Sequence, residues 1–362
     1  MVKNSFRSKV LEFWQAFSQD EYIIREMINK GADPSVVLAF TESILKIAFS
    51  EICFQVEADN NNKNKYELTL SPQGDRVKLI QYHYWCMQAP NALKRYWNFR
   101  SSKSAFKTSA DNSTVMFDVM LKPSDVILYP KIDNQHSKIE LFIYSPKLDL
   151  LDEAKRYSIF FKFLDQHIGE SYSIDYVSNI QFIDQKIEEQ AIEIDALRGL
   201  INRAIMAFGW QKNRNPLESY ISYSLTPKTS NDWKLREDIS AGYTSGIMPI
   251  HSFQMLEDKC FKTYERNGVT FAFLFYENSN LTEDQLAKLH TTISTEVSKR
   301  SGLQNVANCI GAAVGHHFSY IDFIIYDFQL FSTAIKDIIN KYKFEEVGLN
   351  FFHSKAEPIL LS

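Results

Sequence analysis

The stretch Ile310–Asp327, IGAAVGHHFSYIDFIIYD, decides how this chain is read. Apolar residues run through it on both sides of Gly315-His316-His317, so it reads as a hairpin of two strands, Asn305 to Val314 and Phe318 to Tyr326. Upstream, Val269 to Tyr276 (VTFAFLFY) is an apolar strand and Thr282 to Arg300 a helix. Thr282 with Gln285 three residues on matches a capping box, in which each side chain takes up a backbone N–H that the first helical turn leaves unbonded. Downstream, Phe328 to Tyr342 is a second helix and Val347 to Phe352 a closing strand.

Strand–helix–strand–strand–helix–strand is the split βαβ, or ferredoxin-like, order. The chain is therefore expected to be α+β, in two α+β domains, the C-terminal one a ferredoxin-like sheet with helices on one face. Its length of 362 residues exceeds what one core of ordinary size holds. The expected boundaries are an N-terminal domain over 1–184, a connecting helix and linker over 185–216, and the C-terminal domain over 217–362. Such a fold hosts many unrelated functions, so it names an architecture and no chemistry.

The first half opens on a helix whose Val10, Phe13, Trp14 and Phe17 fall at i, i+3, i+4 and i+7, on one face. Gly31 suits its left-handed stop. Asp33 then caps a helix with Pro34 at its first position, where a missing N–H costs nothing, and that helix is read through Phe49. Strands are expected at Ile52 to Ala58 and Tyr66 to Ser71 around the polar turn Asn60 to Lys65, and a helix from Arg76 to Gln88, stopped by Ala89-Pro90. Further strands are read at Trp97 to Ser101, Val115 to Leu121, Val126 to Ile132, Ile139 to Tyr144 and Ile174 to Ile183, with a helix at Asp149 to Ile168. A charged helix follows over Gln185 to Ala207, then the linker Gln211 to Pro216. Tyr220 to Leu225 and Asp238 to Tyr243 read as short strands, with a helix near Phe253 to Arg266.

Composition excludes several classes. Apolar residues make up 45% and charged residues 23%, as in a globular protein and unlike a disordered one. A net charge of −4 argues against a protein that coats nucleic acid. No apolar run reaches the length of a membrane span, and the N-terminal residues carry no secretory leader pattern, so a cytoplasmic protein is expected. Cys53, Cys86, Cys260 and Cys309 stand far apart and read as buried, reduced thiols. There is no GxxxxGK[ST], GxGxxG, HExxH or GxSxG, so no cofactor is expected and the common phosphate, zinc and hydrolase patterns have no anchor.

His316, His317, Tyr320 and Asp322 are the candidate binding residues. Adjacent strand residues point to opposite faces, so His316 and His317 do not readily share a metal, and no further ligands stand at metal spacing. Asp322 interrupts an apolar strand and must be paired or open to water, with Arg236 one available partner. Phe271, Phe273 and Phe275 alternate on a strand and read as core, without the basic signature of an RNA-binding sheet. His167, Glu170 and Asp175 offer acid–base groups near a helix end, as do Arg236-Glu237-Asp238 before a strand; helix capping and surface charge explain both.

On element order and the phrase Ile310–Asp327 followed by a helix, Val269 to Phe352 resembles the ferredoxin-like domains of the ribonuclease E regulator B type. LTLSPQG (Leu68 to Gly74), Ala89-Pro90 and WNF (Trp97 to Phe99) are similar to a pattern in bacterial proteins of unknown function. The resemblance implies a bacterial two-domain protein and carries over no catalytic or binding residue. The expected function is a non-catalytic regulatory or binding protein, inhibitor- or immunity-like, acting on another protein through an open sheet face. The alternative is a hydrolase or transferase with a site between the domains, using His167, Glu170 and Arg236. Steep salt dependence would mark a third reading, RNA binding.

Overall fold

The computed structural model describes residues 5–59, 62, 65–105, 112–188, 190–212, 215–228, 230, 232–278, 281–299, 306–342 and 344–361. Outside them lie Asn60, Asn61, Lys63 and Asn64 of the expected turn, Asn213 and Arg214 of the expected linker, and the end residues Arg300 and Asn305.

The chain opens with α1 (Phe6–Asn29) and α2 (Pro34–Leu45). The middle group starts with β1 (Phe54–Ala58), β2 (Tyr66–Leu70), α3 (Arg76–Met87), β3 (Trp97–Arg100), β4 (Thr114–Met116) and β5 (Val119–Leu121). It ends with β6 (Ile127–Asp133), β7 (Lys138–Tyr144), α4 (Glu153–Ile168), α5 (Glu170–Tyr176), β8 (Val177–Phe182) and α6 (Ile194–Phe208). The last group begins with β9 (Ile221–Ser224), β10 (Ile239–Thr244), α7 (Ile247–Gln254), α8 (Lys262–Asn267) and β11 (Thr270–Glu277). It closes with α9 (Glu283–Lys299), β12 (Ala307–Gly315), β13 (Phe318–Ile325), α10 (Phe328–Ile339), β14 (Val347–Phe351) and β15 (Ile359–Leu360).

These elements form two compact units, one of Cys53–Met87 with Lys94–Ser219, the other of Met1–Ile52, Gln88–Leu93 and Tyr220–Ser362. That division differs from the expected 1–184 and 217–362, because the first helices belong with the C-terminal sheet. Phe6 N–H donates to Gly268 O at 3.1 Å and Arg7 N–H to Tyr326 O at 2.9 Å, and the Phe6 ring lies 5.9 Å from that of Tyr326. The apolar stripe Val10, Phe13, Trp14 and Phe17 is buried as its spacing requires. Asp33 accepts from Ser35 N–H at 2.8 Å with Pro34 behind it, and Gly31 takes φ +66° at the end of α1.

The C-terminal sheet has the order β15-β14-β11-β13-β12-β10-β9, with every neighbouring pair antiparallel. Its inner four strands, with α9 and α10, have the split βαβ connectivity. The capping box at α9 forms in both directions, Thr282 N–H to Gln285 Oε1 at 2.8 Å and Gln285 N–H to Thr282 Oγ1 at 3.4 Å. One sheet face packs Ala272, Leu274, Ile321, Phe323 and Ile325 against Leu286 and Ile293 of α9 and Phe331, Ile335 and Ile338 of α10. The expected open face is not open. Phe271, Phe273, Phe275, Tyr320 and Ile324 on it are all buried. Phe253 of α7 meets Phe273 at 5.7 Å, Tyr264 of α8 meets Phe271 at 5.5 Å, and Trp233 meets Phe318 at 5.7 Å. The chain covers this face itself, because five aromatic and aliphatic side chains left in water would each forfeit roughly 1.5–3 kcal/mol.

The other unit uses one device twice. β1 and β2 form a hairpin and β3 returns parallel to β2 after α3; β6 and β7 form a hairpin and β8 returns parallel to β7 after α4 and α5. Leu141 and Ile143 pack with Phe160, Phe163 and Leu164 of α4 and Leu197 and Ile201 of α6. Three expectations change here. Val115 to Leu121 is a tight hairpin, turned at Phe117 (φ +54°) and Asp118 (φ +59°) without the glycine that usually marks such a turn. Ile174 to Tyr176 is helical, and the strand begins at Val177. The helix expected from Gln185 begins only at Ile194, because Ile192 pairs with Leu128 through two backbone hydrogen bonds of 3.0 and 2.8 Å. In the C-terminal unit, the helix expected near Phe253 to Arg266 is broken between α7 and α8, with Leu256 at φ +56°. The four cysteines are free thiols, each half-buried.

One core position is conspicuously polar. His290 of α9 is buried edge-on against the Tyr276 ring at 5.7 Å, and among the described residues its Nε2 has no hydrogen-bond partner. Burial pushes its pKa from 6.5 down to about 4. The neutral ring therefore stabilises fully above about 6.5, and that contribution is lost as pH falls toward 4. In chemical denaturation, His290→Leu is expected to remove about 3 kcal/mol of the acid-induced loss between these limits; equal pH slopes in variant and parent would contradict it.

Candidate functional site

The period of β13 places Tyr320, Asp322 and Ile324 on the face away from α9 and α10. Asp322 is 0% exposed, and the ion partner that answers its charge is Arg236, 5% exposed. Arg236 Nη1 donates to Asp322 Oδ1 at 2.5 Å, and Nη2 to Oδ2 at 3.4 Å and to Tyr223 Oη at 3.3 Å. The guanidinium lies 4.9 Å from the Phe352 ring centre, 5.0 Å from Phe273 and 5.3 Å from Tyr320. Burial works against the arginine's charge, but Asp322 outweighs it and holds the guanidinium above its usual range. Arg236 thus spends its donors on oxygens and its flat faces on rings, the two uses for which arginine suits a buried position better than lysine.

Asp238, two residues further on and also buried, takes the hairpin tip in the same way. Its carboxylate accepts from Tyr320 Oη at 2.5 Å and from the backbone N–H groups of His317 and Phe318 at 3.0 Å each. Its carbonyl accepts from His316 N–H at 3.0 Å, and Arg236 N–H donates to Tyr320 Oη at 2.9 Å. Burial, followed by the Asp238 charge, drives the Tyr320 hydroxyl far above its usual range, so it stays protonated and donates. Gly315 is required here: a Cβ on it would fall 2.2 Å from Asp238 Oδ2.

The four candidate residues accordingly part company. Tyr320 and Asp322 lie inside the unit and offer no contact surface, whereas His316 and His317 are exposed at the two-residue turn. His317 stacks on the half-buried indole of Trp233, ring centres 4.7 Å apart and planes within 12°. The isolated charge in the strand predicts a pair of this kind, with Arg236 one available partner. Asp238 and Trp233 were not singled out for this site, because nothing local ties them to a turn some 80 residues away.

The residues of the alternative set each have partners within their own unit. His167 turns Nδ1 to Asp195 at 2.7 Å and Nε2 to the Asn112 carbonyl at 3.2 Å, linking α4 to α6. Glu170 is buried, not surface charge: it accepts from Ser71 Oγ and from Lys103 N–H at 2.7 Å. Asp175 pairs with Arg76 at 2.5 Å, and Arg76 also donates to the carbonyls of Pro216 and Ser219. Three neighbouring acid–base residues thus tie down three different places, and Arg236 is paired with Asp322. A further carboxyl of this region has no sequence pattern to mark it. Asp165 of α4 is half-buried, and burial, then the Glu170 charge, raises it to about 7.

A cleft of about 340 Å³ beside β3 is lined by Lys65, Lys94, Arg100, Trp97, Phe99 and Cys86. Two of its cations are engaged within the unit, Arg100 with Glu67 at 2.7 Å and Lys65 with Asn98 at 3.3 Å. Among the described residues no cluster of three or more His, Cys, Asp or Glu side chains is placed to hold a metal ion, and no helix is long and apolar enough to cross a membrane. The chain matches no protein-family model, and no curated protein and no solved structure matches it.

Breaking a buried pair costs more than replacing it, since the surviving charge is left unanswered. Arg236→Met is expected to destabilise the C-terminal unit by about 3–5 kcal/mol, and Arg236→Met with Asp322→Leu by clearly less. Additive losses in chemical denaturation of the two single variants and the double would show that the residues are not coupled.

Proposed function

We propose that this protein is a non-catalytic binding or regulatory module that contacts another protein through the turn His316-His317 and the Trp233 ring beside it. The observation that carries the reading is the stack of the exposed His317 on the half-buried Trp233, the turn held from beneath by the buried Asp238 carboxylate. A contact surface gains affinity when its side chains are already ordered, and here stacking and turn hydrogen bonds do the ordering before any partner arrives. Tryptophan is also among the residues that most often dominate protein interfaces. A ferredoxin-like domain used as an inhibitor or immunity factor, in a cytoplasmic protein related to the ribonuclease E regulator B type, fits this reading.

A second reading has one observation in its favour. Asp165, with a pKa near 7 beside the buried Glu170, could exchange a proton at neutral pH, as a hydrolase or transferase acid–base would. The first reading is preferred because the groups around Asp165 serve as ties between elements.

The test is affinity capture of the tagged protein from its native lysate at low and moderate salt, with Trp233→Ala run in parallel. One protein recovered in near-equal amount by the parent at moderate salt, and reduced about tenfold or more with the variant, is the expected result for a contact hot spot. Equal recovery by both would remove the turn from the interface, and bait alone would favour the second reading.

A further inference from the structure

Segment Phe352–Leu361 runs out of β14 and returns as β15 along that strand's edge. The return is short: Leu360 pairs with Gly348 and Ile359 with Leu349, and Leu361 N–H donates to Val347 O at 2.9 Å. Ile359 and Leu360 are both exposed and only the half-buried Leu361 packs on the core, so little apolar burial holds the return down. Gly348 sits between β11 and this strand: a Cβ there would lie 2.5 Å from the Phe275 ring and 2.9 Å from Ile359 O.

The beginning of the segment is tied by charge. His353 Nε2 lies 2.6 Å from Glu265 Oε1 of α8, and Nδ1 lies 3.2 Å from Asp258 Oδ2 in the turn Asp258–Phe261. Asp258 also accepts from Ser354 N–H at 3.0 Å and from Ser354 Oγ at 2.7 Å. A neutral imidazole has one N–H and one lone pair, so it donates to only one of two carboxylates and turns a lone pair on the other. Both contacts are satisfied together only by the imidazolium.

We propose that His353 is a proton-held latch: as the imidazolium it bridges Glu265 and Asp258 and keeps segment His353–Leu361, beyond the buried Phe352, on the edge of β14, and on deprotonation that segment comes off the edge. The groups that act on its charge are Glu265 of α8 and Asp258 of the neighbouring turn; the third close neighbour, Phe261, is an uncharged ring 5.7 Å away. Burial opposes the positive charge, but the Glu265 hydrogen bond and the charges of Asp258 and Glu265 outweigh it, so His353 titrates above 6.5. A raised pKa means the latch is complete below about 6.5 and fails as pH rises through the folded-state value. The consequence is a row of β14 backbone groups uncovered at alkaline pH, the kind of edge to which another strand can add.

The test is hydrogen exchange by mass spectrometry on the whole protein, corrected for the intrinsic pH dependence of exchange, together with NMR titration of the His353 ring. Protection of peptides within 347–361 is expected to fall at least threefold, roughly, across the ring's titration, while peptides of α4 keep theirs. His353→Gln is expected to show low protection of the same peptides throughout. Protection of 347–361 unchanged across the titration, a ring pKa at or below that of an unperturbed histidine, or a parent-like pH response in His353→Gln would each overturn the latch.

Discussion

A carboxylate in the middle of a central strand is the constraint on which the C-terminal unit turns. Asp322 has strands on either side and cannot reach water, so a cation must be brought to it, and that cation must in turn be desolvated and satisfied. Arg236 does both, and delivering it draws the segment before β10 across the sheet. Once that segment is there, Asp238 falls beneath the β12–β13 turn, Trp233 falls beside it, and the aromatic rings of the second face acquire a cover. The pair is therefore an organiser of packing more than a source of stability, since well-packed apolar side chains would serve stability as well.

The same economy governs the other unit, where Glu170 and Asp175 stand one helical turn and a half apart on a short helix. Each is buried against a partner close to 100 residues earlier, Ser71 and Arg76, at the end of β2 and the start of α3. Buried ions used in this way specify which segments meet, because any other pairing would leave a charge unanswered. His353 differs from them in being half-exposed and in meeting two carboxylates, which makes its contact conditional on gaining a proton.

How much of this could be read in advance follows from where the information sits. The βαββαβ order was legible because Val269 to Tyr276 and Phe318 to Tyr326 have the composition of buried strands and Thr282-Gln285 marks a helix start. Asp322 announced that it needed a partner, and Arg236 was within the list of available ones. The closed second face was not legible, since it depends on long-range docking of Phe253, Tyr264 and Trp233, none of which carries a local signature. The association of α1 with the C-terminal unit is hidden for the same reason, and the turn at Phe117-Asp118 because it puts a bulky phenylalanine, which seldom adopts positive φ, at its first position. The candidate site was half legible: its histidines are at the surface, while its tyrosine and aspartate are the frame behind them.

The most direct test of the organising role of Asp322 is hydrogen exchange of Asp322→Asn compared with the parent. The account requires exchange to quicken together over Lys234 to Thr244 and Phe318 to Ile324, with the α4 and α6 helices unchanged, because one interaction holds the covering segment and the sheet face. Quickening confined to the substituted strand, with Lys234 to Thr244 as protected as before, would contradict it.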